Sequence, residues 1–134
     1  MTDCSGLIGL TEPQLADRLG QPATRRETGD DVWCVFEPGD LTCRVRLRTD
    51  ADGTRCASWT ASFALGYPTL ASALSEVGLW PAAGPDQRAD LATTPLVRRP
   101  LPEPERSVVH SLTATIRNGL FTQVSVFDEA PDWD

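Results

Sequence analysis

Residues 41–63 read "LTCRVRLRTDADGTRCASWTASF", and how this stretch pairs decides the fold. Leu41, Cys43, Val45 and Leu47 alternate with Thr42, Arg44, Arg46 and Arg48, a period of two that puts one set on each face of a strand. A second alternation follows in Ala57, Trp59, Ala61 and Phe63. Between them, Ala51-Asp52-Gly53 has the composition of a three-residue hairpin loop with glycine in the left-handed position. That loop sets Leu47 opposite Ala57, Val45 opposite Trp59 and Cys43 opposite Ala61. Turn chemistry and apolar pattern agree on one register, which sends Trp59 into the core.

Working outward, "DVWCVFE" (residues 31–37) is a preceding strand. A two- or four-residue connection around Pro38-Gly39 places Cys34 opposite Cys43 and Trp33 opposite Arg44, with Val32, Cys34 and Phe36 on the core side. Upstream, "TEPQLADRLG" has a Thr N-cap, Pro13 in the first turn, Leu15 and Leu19 on one side, and Gly20 with Pro22 as its stop. It predicts a helix over residues 12–19. Downstream, "YPTLASALSEVGLWP" predicts a second short helix with Leu70, Leu74 and Val77 on one side and Gly78 at its end.

Residues 81–106 hold six of the 11 prolines and read as a long connection with one edge strand at "ATTPLVRRPL". Residues 108–129 then form a hairpin around Arg117-Asn118-Gly119, with Ile116 opposite Leu120, Ala114 opposite Thr122 and Leu112 opposite Val124. The expected class is α+β: an antiparallel sheet of five to six strands with two short helices packed on one face, in one domain spanning residues 1–134. The two helices repeat at an offset near 58 residues and the two hairpin loops at 66, so the chain also admits a degenerate tandem repeat with sub-units 1–65 and 66–134.

Composition narrows the function classes. All 12 basic residues are arginine, consistent with GC-rich bacterial coding, and the net charge is −7. An acidic chain lacks the basic field that nucleic acid or an anionic membrane requires. No apolar run approaches a membrane span, and "MTDCSGLIGL" lacks the basic and apolar regions of a secretory signal, so a cytoplasmic location is expected. Cys4, Cys34, Cys43 and Cys56 show no Cys-x-x-Cys spacing, so neither a structural zinc site nor a disulfide framework is expected. No cofactor motif is present, and the single histidine, His110, is far in sequence from every cysteine. Paired carboxylates fall mostly in loops and at the chain ends, where they are ordinarily solvated. Catalysis is not expected, and no catalytic, metal or cofactor residue is assigned.

The polar side of the central strands is more informative. Arg44, Arg46 and Arg48 project to one face, and Trp33 from the neighbouring strand joins them. Tryptophan and arginine are the residue types enriched where protein interfaces concentrate their energy. The same residues also suit a solvated face on which an arginine covers the indole. A second candidate surface is the acidic end of the chain: Asp128, Glu129, Asp132 and Trp133.

The pattern "GLTEPQLADRLGQP…TGDDVWCVFEPG", a short helix ending in Leu-Gly-x-Pro and followed by a strand centred on Trp33, resembles the SmpA/OmlA-like unit that is doubled in the fold of the β-lactamase inhibitory protein. The resemblance spans residues 9–63. It implies a sheet surface that holds another protein without catalysis. The expected function is therefore a non-catalytic protein-binding module, most concretely an immunity- or antitoxin-like inhibitor of a bacterial toxin or enzyme, whose partner is another protein; the acidic net charge suits a basic toxin or effector. Two alternatives stay open: a small enzyme or ligand-binding domain with a pocket between helices and sheet, and an assembly or adaptor factor.

Overall fold

The alternation centred on Val45 and Trp59 folds into a hairpin near the middle of a single antiparallel sheet. The structure, a computed structural model, describes residues 2–51, 53–79, 87–91, 94–103 and 108–128, with side chains for those up to 79 and from 111 onward. In chain order the elements are α1 (Glu12–Leu19), β1 (Thr24–Thr28), β2 (Asp31–Phe36), β3 (Leu41–Asp50), β4 (Gly53–Tyr67), α2 (Leu70–Glu76), β5 (Gln87–Leu91), β6 (Thr94–Glu103), β7 (Val108–Arg117) and β8 (Leu120–Phe127). The strands lie side by side in the order β1-β2-β3-β4-β8-β7-β6-β5. The fold is α+β, with one helix and then four strands in each half of the chain. The two halves meet where β4 lies beside β8.

The sheet is wider than the five to six strands expected. Six strands lie where the sequence puts them, and the two additions, β1 and β5, are the outer edges. All five residues of β1, Thr24 to Thr28, are exposed, so this strand carries no apolar alternation to detect. The strand expected at the edge, β6, is flanked by β5 instead.

Sequence also sets the helices. The N–H of Thr11 donates to the Gln14 side chain at 2.9 Å, which closes the start of α1, and Gly20 ends it at φ 87°. Thr69 caps α2 by accepting from the Ser72 N–H at 3.1 Å. Leu15 and Leu19 of α1, Ala73 and Leu74 of α2, and Cys4, Leu7 and Ile8 of the N-terminal segment share one buried cluster with the inward strand residues. Across the sheet this core runs through Cys34, Val45, Trp59, Val126 and Leu112, successive neighbours on β2, β3, β4, β8 and β7, all buried.

The registers hold in phase but not always in number. Val45 faces Trp59 and Cys43 faces Ala61 as expected. Asp50 pairs with Gly53, however, so the loop has two residues rather than three, and Leu47 faces Cys56. A bulge at Ala57 absorbs the difference and returns Trp59 to the core side. In the first hairpin Cys34 faces Val45 and Trp33 faces Arg46, two residues from the expected pairing, because the turn centres on Gly39-Asp40 rather than Pro38-Gly39. In the last hairpin Asn118-Gly119 makes a two-residue turn with φ of 54° and 78°. A bulge at Thr122 adds a second residue of slip, so Leu112 faces Val126 and Ala114 faces Val124.

Trp59 is 2% exposed at the centre of this row. Trp59→Ala is expected to lower unfolding free energy by about 3–5 kcal/mol, the range for emptying a large aromatic from a packed core. Chemical denaturation monitored by far-UV circular dichroism checks it; an unchanged midpoint would contradict the placement.

Candidate functional site

The face of the sheet away from the helices carries the polar half of each alternation. Two cross-strand rows define it. One runs Arg26, Trp33, Arg46, Ser58 and Phe127; the next runs Thr24, Val35, Arg44, Thr60 and Ser125. Trp33 and Phe127 are large apolar side chains left 36% and 40% exposed on this surface.

The arginine stripe divides by charge pairing. Arg46 Nε lies 3.3 Å from Asp31 Oδ2, and Arg48 Nη1 lies 3.8 Å from Asp128 Oδ2. On β1, Arg25 Nε meets Glu12 of α1 at 2.7 Å, which ties the edge strand to the helix beneath it. Arg26 and Arg44 make no ion pair among the described residues. Between these two arginines is a groove of about 550 Å3, floored by Trp33 and Val35 and edged by Thr24 and Thr28. Arg44 also borders a smaller hydroxyl-lined depression of about 240 Å3 on β3, β4 and β8. There the Thr60 and Ser125 hydroxyls are 2.8 Å apart, and Gln123 Nε2 donates to Ser62 Oγ at 3.3 Å.

Of the residues singled out by sequence, Trp33, Arg44, Arg46 and Arg48 do share one face. Trp33 and Arg44 line the groove, whereas Arg46 and Arg48 are engaged by carboxylates. Asp128 follows β8, where its N–H donates to the Ala57 carbonyl at 2.9 Å. Glu129, Asp132 and Trp133 lie outside the described residues. Arg26 was not anticipated, because its strand has no apolar signal.

The chemistry of the cysteines is settled by their surroundings. All four are free and buried. The Cys4 thiol beside it, together with burial, pushes the Cys43 thiol far above its ordinary range. Burial raises Cys34, and it pushes Cys56 up to about 12. Cys56 Sγ also donates to the Ser58 carbonyl at 3.5 Å, a bond that only the protonated thiol can make. Cys34, Cys43 and Cys56 stay protonated at neutral pH, the opposite of an activated nucleophile. His110 lies within β7 opposite Leu101. Among the described residues no three His, Cys, Asp or Glu side chains converge as a metal site, and no helix is long and apolar enough to cross a membrane.

No protein-family model matches the chain, and no curated protein or solved structure matches it. The likeness to the SmpA/OmlA-like unit thus rests on its residue pattern alone.

Native protein is expected to leave its thiols unmodified by a charged aromatic disulfide at pH 7.5, whereas unfolded protein releases one equivalent for each of the four cysteines. Raised folded-state values also have a thermodynamic sign. Unfolded thiols lose protons above about pH 8.5 while Cys56 holds its proton to about 12, so stability falls with rising pH across that window. Fast modification of the folded protein would contradict the burial of these groups.

Proposed function

We propose that the protein is a non-catalytic protein-binding module that works through the open face of β1–β3, most concretely as an immunity- or antitoxin-like inhibitor. The observation that carries this reading is the groove between Arg26 and Arg44. Its floor is a half-exposed indole and a valine, and its two cations have no internal counter-charge among the described residues. A partner that covers Trp33 removes apolar surface from water, and one that brings carboxylates to Arg26 and Arg44 gains charge-assisted bonds that the free protein lacks. Arg46 and Arg48 differ, since a partner would have to compete with Asp31 and Asp128 for them.

The buried thiols and the single histidine speak for binding over catalysis. An assembly or adaptor role would use the same face; inhibition is distinguished by loss of the partner's own activity in the complex. The acidic end of the chain, including Asp128, is the competing contact surface and would suit a basic partner.

The test begins with recovery of the partner from the native host by affinity purification, followed by direct titration of the pair. Trp33→Ala and Arg44→Glu are each expected to weaken binding about 30-fold or more, the equivalent of about 2 kcal/mol for an interface anchor. Because Arg44 is exposed, its reversal should change stability by no more than about 0.5 kcal/mol. Wild-type affinity in both variants, with loss on deleting residues 130–134, would move the contact to the acidic end.

A further inference from the structure

A separate pocket opens where β4 leaves regular pairing. Ser62 faces Gln123, but the next pair is Tyr67 with Phe121, so Phe63 to Gly66 together oppose Thr122 alone. The excess chain must loop off the sheet and return. Gly66 permits the return: its φ is +77°, and a Cβ there would lie 3.0 Å from Leu120 Cβ and 3.2 Å from the Phe121 carbonyl oxygen. The loop lifts Leu65 to 87% exposure. Beneath it the rings of Phe63 and Tyr67 pack edge to face, with centroids 4.9 Å apart and planes at 89°.

These rings wall a cavity of about 400 Å3 whose charged lining is Asp40, from the β2–β3 connection, and Glu76, the last residue of α2. Among the described residues no basic side chain lines it. The Tyr67 hydroxyl donates to Glu76, and burial together with the charges of Glu76 and Asp40 raises its proton affinity.

We infer that this pocket binds a guanidinium group, and specifically an arginine side chain presented by another protein. A planar cation that is weakly hydrated can lie against an aromatic wall while its forked N–H groups meet carboxylates. A bare metal ion would find apolar walls in place of the further oxygens it needs. An ammonium, more strongly hydrated and without a fork, fits the same walls less well. The protein-borne source follows from Leu65, which stands at the rim and is covered only by a ligand with surface beyond its cation. This site involves none of the groove residues of β1–β3, and it stands or falls independently of the sheet-face reading.

The test is a titration of the full-length isotopically labelled protein, followed by NMR signals of Phe63, Tyr67 and the Leu65 methyls. The probes are acetyl-arginine amide, its neutral isostere acetyl-citrulline amide, acetyl-lysine amide, and a short peptide with leucines flanking one arginine. Expected are saturable shifts at all three residues with the arginine probe, at least tenfold weaker binding of citrulline, and weaker binding of lysine. The peptide should bind at least fivefold more tightly than the arginine amide. Asp40→Asn, an exposed substitution, should weaken the arginine probe about tenfold, whereas Trp33→Ala should leave it unchanged. Equal binding of citrulline and arginine, or no effect of Asp40→Asn, overturns the guanidinium site. Equal affinity of amide and peptide overturns the protein-borne source and leaves a small-molecule guanidinium as ligand.

Discussion

The fold depends on Trp59 facing the core in phase with Val45 on one side and Val126 on the other. β4 pairs with β3 and with β8, so it alone joins the four-strand halves, and its phase is shared by both. Burying an aromatic of this size removes roughly 150–250 Å2 from water, or about 4–6 kcal/mol at about 25 cal/mol per Å2. A disrupted ladder bond costs only about 1 kcal/mol. The bulge at Ala57 is the outcome of that inequality. The two-residue turn at residues 51–52 would bring β4 in with the wrong face inward, and one unpaired residue restores the tryptophan, its row and the seam between halves.

The same reasoning explains what was legible in the sequence. An apolar period of two reports which face a residue takes, so Val45 and Trp59 are legible as core residues and Leu112 and Val124 as residues sharing a face. It does not report how far one strand has slid past another in steps of two. The first and last hairpins accordingly kept their faces while Cys34 and Leu112 found partners two residues away. Turn geometry and bulges fix that number together. Asn118-Gly119 reads from sequence as part of a three-residue loop but makes a two-residue turn, and the bulge at Thr122 supplies the other residue of the slip. Strand β1 stayed hidden because an edge strand with both faces wet has no periodicity, and Arg26 was hidden with it. Trp33 and Arg44 could be read as neighbours on an open face. The expected register of the first hairpin puts Asp31 directly opposite Arg46; in the structure Asp31 faces Arg48 and reaches Arg46 diagonally.

On that open face, polar residues are not equivalent. Over β4 and β8 the hydroxyls and amide satisfy one another, as the Thr60–Ser125 and Ser62–Gln123 contacts show. A partner landing there would exchange one set of hydrogen bonds for another, with little net change. Over β1–β3 the floor is an indole and a valine, and the rim holds cations without an ion-pair partner among the described residues. Contact there gains apolar burial and new charge pairs together. Arg44 borders both regions, which gives it more ways to be covered than any other arginine of the stripe.

The net charge of −7 gives the wrong sign for this face, because a sum over the chain is not a local field. Leu41 lines the acidic pocket and Arg44 the basic groove, three residues apart along one strand. That is about 10 Å of extended chain, against a screening length of about 8 Å at physiological ionic strength. Each site is therefore felt by a ligand largely as its own charge: positive on the sheet face, negative at the β4 loop. A uniformly basic partner would be drawn to the pocket and repelled from the groove, and a uniformly acidic one the reverse. Simultaneous occupation of both demands a surface that changes sign over about the same distance, with an arginine at one end and carboxylates beside an apolar contact at the other.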